Sequence, residues 1–89
     1  MNNSLTWFRL FDTAAVAELP YVEKQFKLEG YGLTTVRLCK GEKHYALALP
    51  QEGLYLPAGL NGRVPFLTRD NKFGAVVDSQ GFICLGVQL

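Results

Sequence analysis

The last 17 residues, Phe73 to Leu89, carry a single charge, Asp78. They are divided by Asp78-Ser79-Gln80-Gly81, a type I turn pattern with Gly at the left-handed position. The segment therefore reads as a bulged hairpin of two strands, Phe73 to Asp78 and Phe82 to Leu89. A hairpin with so little charge has no well-solvated face, so a second layer must cover it. This requirement excludes a lone open sheet and demands a two-layer or closed β structure.

Two readings of the hairpin follow. In the first it is the centre of a closed or two-layer β structure, covered by the helix and the first strand, since apolar runs are generally core. In the second, Phe82, Ile83, Leu85, Val87 and Leu89 partly form a binding surface for another chain. Gly86-Val87-Gln88-Leu89 would then be free to pair with the edge of a second subunit. The two are compatible, since a small barrel can still dimerise.

Leu5 to Phe11 is apolar on both parities and reads as a first strand covered on both sides. Asp12 or Thr13 can cap a short helix over residues 13–18, which Pro20 stops. Residues 21–29 fit helix or strand: Val22 and Phe26 have helical spacing, while Val22, Phe26 and Leu28 share a strand parity. Strand is the slightly better fit. Glu29-Gly30-Tyr31-Gly32 is a turn signal.

Leu33 to Cys39 and His44 to Leu49 form the clearest hairpin, with Lys40-Gly41-Glu42-Lys43 as its loop. A four-residue loop sets Cys39 opposite His44, Leu38 opposite Tyr45, Arg37 opposite Ala46 and Val36 opposite Leu47. Val36, Leu38, Tyr45 and Leu47 then face the core. Residues 50–63 read as loop, with Leu54-Tyr55-Leu56 as a short strand inside it. Val64 to Arg69 is a further strand, placed at an edge or started late by Pro65. Asp70-Asn71-Lys72 turns the chain.

These elements predict one α+β, strand-rich domain over residues 1–89. About six or seven mostly antiparallel strands form a small barrel or sandwich with one short helix, and an all-β barrel is the alternative. Eighty-nine residues bury roughly 60–65% of their unfolded surface, enough for one core. Eleven aromatic residues make that core plausible without a disulfide or metal staple.

Charge and cysteine usage narrow the partners. The net charge is +1, without the basic excess or stripe that nucleic-acid phosphates require. It gives no reason to expect electrostatic membrane binding either. Eleven of the 17 charged residues lie between Arg9 and Lys43. Two cysteines 45 residues apart make neither a disulfide framework nor a CxxC site. The first residues lack a basic segment followed by an apolar run, so the expectation is a cytoplasmic protein with reduced thiols.

One constellation could carry chemistry. Cys39 and His44, with Arg37 one pair further along, project from the non-core face of one hairpin. A thiolate beside an imidazole is the minimum for nucleophilic catalysis, and an arginine nearby favours the thiolate. The pair is also half of a zinc site. However, His44 is the sole histidine, and no carboxylate is placed to orient it. A small thiol packed beside a partly exposed histidine is the simpler reading, and no metal or cofactor is expected. Gly59-Leu60-Asn61-Gly62-Arg63 has the glycines of an anion-binding loop but no helix after it, so a turn between strands is expected.

The order of features resembles a small Rieske-type ferredoxin domain. The resemblance rests on Trp7 in the first strand, a hairpin returning through Tyr45-Ala46-Leu47, a Gly-rich stretch, and a final hairpin with Phe73 and Gly81. That family holds its cluster through two Cys-x-His pairs. Neither Cys39 nor Cys84 has a histidine two residues on, so a shared fold would come without the cluster and no function is carried over. The expectation is a non-enzymatic protein-interaction or accessory domain, self-associating as a homodimer or bound to another protein. A small-ligand-binding protein or a thiol-dependent enzyme using Cys39 and His44 is the alternative.

Overall fold

The computed structural model describes residues 5–42, 44–59 and 66–89, with the Phe66 side chain left aside. Among these residues the chain forms two four-stranded antiparallel sheets packed face to face. Strand β1 (Thr6–Asp12) leads into α1 (Thr13–Val16). A meander follows: β2 (Tyr21–Leu28), β3 (Gly32–Lys40), β4 (His44–Leu49), a 3-10 turn (Pro50–Glu52) and β5 (Leu54–Gly59). The chain returns to the first sheet with β6 (Phe66–Leu67), β7 (Phe73–Val77) and β8 (Phe82–Val87). The strand orders are β1-β8-β7-β6 and β2-β3-β4-β5, a sandwich with no closed barrel among the described residues.

The core is what alternation demands of two such sheets. Val36, Leu38, Tyr45, Leu47, Leu49, Leu56 and Ala58 line the inner face of the second sheet. Phe11, Phe73, Ala75, Val77, Ile83, Leu85 and Val87 line that of the first. Phe11 and Phe26 meet edge to face at 5.3 Å between ring centroids and join the layers at the β1/β2 side. Tyr31 and Phe73 make a second such pair at 5.7 Å.

Local chemistry explains the turns. The Asp12 carboxylate accepts from the Ala14 N–H (3.0 Å) and caps α1. That helix is one turn and ends at Val16, shorter than expected, because the Leu19 N–H folds back to the Val16 carbonyl ahead of Pro20. In the final hairpin the Gly81 N–H donates to the Asp78 carbonyl (3.0 Å) and Gly81 takes φ +87°, the bulged turn predicted. One Asp78 oxygen accepts from the N–H groups of Gln80 and Phe82, each at 2.9 Å. The bond from Phe82 is the main reason its carboxyl titrates below the usual range.

One ambiguous segment is resolved as strand, the reading its parity favoured, and two expectations need correction. Residues 21–28 are strand throughout, paired from Tyr21↔Cys39 to Leu28↔Gly32. Leu54-Tyr55-Leu56 extends to Gly59 as a full strand, which tolerates Pro57 because β5 is an edge and the missing N–H faces no partner. The second correction concerns the central hairpin, whose register is shifted by two residues. Lys40 pairs with Tyr45, Cys39 with Ala46, Leu38 with Leu47 and Arg37 with Ala48. The Gly41 N–H donates to the His44 carbonyl (3.0 Å), closing a two-residue connection rather than a four-residue loop. A side chain at position 41 would begin 2.6 Å from that carbonyl oxygen, so only glycine fits there. The shift is an even number of residues, so every side chain keeps the face that alternation assigned it. The strand expected from Val64 falls partly outside the described residues, as do most of the Gly59–Arg63 loop and Lys43.

Candidate functional site

The five residues proposed as a C-terminal interface are divided by the fold. Ile83 and Leu85 are fully buried and Val87 is 1% exposed, so these three are core and cannot meet a partner without unfolding. Phe82 is half-buried under the Arg9 guanidinium, 4.8 Å from its ring centroid. Leu89 is exposed and lies against Gly30. Strand β8 runs between β1 and β7, so it has no free edge to offer a second subunit. The charge-poor hairpin needs cover, as its composition required, and the same chain supplies it.

That cover includes the outer face of the first sheet. Trp7 sits opposite Gly86 in register, and Arg9 opposite Cys84. A Cβ at Gly86 would lie 2.9 Å from Leu5 Cδ1 and 3.0 Å from Trp7 Cζ3 and Cη2, so Leu5 and Trp7 occupy the space above that glycine. Arg9 reaches the Gln80 amide oxygen at 2.6 Å and the Asp78 carboxylate at 3.4 Å. Below it the Cys84 thiol is buried, 3.7 Å from Asp78 and 3.4 Å from the Phe82 carbonyl. Burial, then the adjacent carboxylate, push this thiol up to about 11, the opposite of what a nucleophile needs.

The outer face of the second sheet is built differently. Its side chains follow from the register as two cross-strand rows. One row is Tyr21, Cys39, Ala46 and Pro57; the next is Glu23, Arg37, Ala48 and Tyr55. Alanines occupy the centre, on β4, and are half-buried. Tyr21 and Tyr55 stand at the two borders, 47% and 63% exposed. Glu23 and Arg37 form an ion pair at 3.5 Å, and Glu23 also accepts from the Tyr21 hydroxyl at 3.1 Å. Desolvation and that acidic neighbour raise the Tyr21 pKa. Leu33, 61% exposed, continues the face toward the β2–β3 turn.

Arg37, Cys39 and His44 all belong to this face, as alternation predicted. The register, however, gives Cys39 the neighbours Tyr21 and Ala46, while His44 pairs with Gly59. Cys39 and His44 are diagonal rather than opposite, a relation that separates Cα atoms by about 7–8 Å. Arg37 forms its ion pair with Glu23. Among the described residues no group of three or more His, Cys, Asp or Glu could hold a metal ion.

The sequence reading missed Tyr21, Tyr55 and the two alanines as members of one surface. The signal was present in β4, where Tyr45, Leu47 and Leu49 on one parity face only alanines after His44 on the other. Tyr31 is a separate feature: its hydroxyl is buried without a hydrogen-bond partner among the described residues. Burial, then the Glu52 carboxylate, raise its pKa.

Set against known proteins, the chain matches no family model, no curated protein and no solved structure. Among the described residues no helix is long and apolar enough to cross a membrane.

Proposed function

We propose that this chain is a small, non-enzymatic, cytoplasmic interaction domain that self-associates through the outer face of β2–β5. The observation that carries the reading is the pairing of a low floor, Ala46 and Ala48, with exposed aromatic borders, Tyr21 and Tyr55. Small central side chains let a second surface approach closely. Tyrosines supply contact area at low entropic cost, which is why such residues are enriched at interfaces.

The size of the face sets the expected strength. Four strands about 4.8 Å apart and about six residues long at 3.3 Å per residue give a patch on the order of 400 Å². That is about half of what each partner contributes to a standard stable interface, and it fits a weak, reversible dimer. Sedimentation velocity from about 10 μM to about 1 mM brackets such an affinity. The weight-average mass should rise with concentration in the native chain. Ala48→Arg, at the centre of the face, should hold it at the monomer value, and Leu67→Arg on the other sheet should not. A strictly monomeric native chain over this range removes the self-association reading.

A further inference from the structure

We infer that the sheet edges formed by β1, β5 and β2 are closed to strand addition, each by a different device, and that Lys24 closes the longest of them. A free edge presents unpaired N–H and C=O groups to any extended chain, so a strand-rich fold must protect every one of them. At the fourth edge the described part of β6 is Phe66–Leu67. Strand β1 carries a bulge between Arg9 and Phe11, which breaks the ladder and bends the strand. Strand β5 has Pro57 in its middle, where an incoming carbonyl would find no donor.

Strand β2 has none of these. It pairs with β3 over all eight of its residues, without a bulge, so its other side presents a long regular edge. Lys24 is the exception in its pattern. It shares the inward parity of Val22, Phe26 and Leu28, and its cross-strand partner Val36 is fully buried. At this rim the chain reaches water, and the ammonium lies 5.6 Å from the Phe26 ring centroid. A strand laid beside β2 would extend the interior past Lys24 and strip water from the charge. The nearby carboxylate on the strand, Glu23, is on the opposite face and pairs with Arg37. An inward-pointing charge at an edge is a recognised barrier to edge-to-edge pairing.

The test compares Lys24→Val with Lys24→Glu, each in an Ala48→Arg background. That background separates the edge from the proposed face, so edge assembly can fail while the face reading stands, and the reverse. Valine should permit strand addition: weight-average mass should at least double on concentration, and agitation should give thioflavin-positive aggregates. Glutamate keeps a charge and should behave as the Ala48→Arg protein alone. Circular dichroism and a cooperative melt establish that each variant is folded, and Lys24→Thr replaces valine if that variant is not. The inference is overturned if the neutral variant stays at the mass of its parent, or if glutamate assembles as readily as valine.

Discussion

The outer faces of the two sheets both carry small residues at their centres, and the two sets have opposite consequences. On β8 the small residues are Cys84 and Gly86, and both are buried. On β4 they are Ala46 and Ala48, and both are only partly buried. The difference lies in the register neighbours. Gly86 is opposite Trp7 and Cys84 is opposite Arg9, long side chains that fold down over them. Ala46 lies between Cys39 and Pro57, which are too short to cover it. Ala48 lies between Arg37, drawn to Glu23, and Tyr55, which points to solvent. A small residue on an outward parity is thus either room for an intramolecular overlay or the floor of an open surface. Its cross-strand partner decides which.

The comparison can be broken at its foundation first. The inner faces are expected to be equivalent, so Leu85→Ala and Leu47→Ala should each cost about 2–5 kcal/mol in urea denaturation. A loss below about 1 kcal/mol at Leu85 would mean that the C-terminal hairpin is not core after all.

The outer faces should then separate. Gly86→Ala has to displace Leu5 and Trp7, so it should cost about 1–3 kcal/mol, with a change in the emission of Trp7, the one tryptophan in the chain. Ala46→Ser, on the open face, should stay within about 0.5 kcal/mol of the native chain. Equal costs at the two positions would erase the distinction between a covered and an open sheet.

The cysteines sharpen it further. Cys39 is exposed and Cys84 buried, so a thiol reagent should modify one group per native chain, and the second only on unfolding. Cys84 also predicts a pH dependence. Its pKa is about 11 in the fold against 9.0 ordinarily. Above pH 9 the unfolded chain therefore releases a proton that the folded chain keeps. The associated stability is complete below pH 9 and is lost as pH rises toward 11. Cys84→Ala should flatten that part of the profile, leaving the decline due to the tyrosines with raised pKa, Tyr21 and Tyr31.

Parity was the most legible property of this sequence. Alternation placed Val36, Leu38, Tyr45 and Leu47 inside and Arg37, Cys39 and His44 outside, and a two-residue register shift leaves that assignment intact. The shift itself was hidden, because the choice between two- and four-residue turns depends on a contact, that of position 41 with the His44 carbonyl. Residues 21–28 were ambiguous because Val22 and Phe26 suit either period, and pairing with β3 resolves them. The fate of Phe73 to Leu89 turned on a long-range register between the two ends of the described chain, β1 on β8, which no local pattern encodes. The open face escaped for the same reason: Tyr21 and Tyr55 lie 34 positions apart in the sequence.

The proposed meeting point is the β2–β5 face rather than the C-terminal hairpin or an edge. Amide chemical shifts followed by NMR during a concentration series test it residue by residue. Shifts should grow with concentration at Tyr21, Arg37, Cys39, Ala46, Ala48 and Tyr55, with Trp7, Arg9, Cys84 and Gly86 unmoved. Shifts concentrated on Phe82 to Val87 or Trp7 and Arg9, with the alanines of β4 silent, would contradict it.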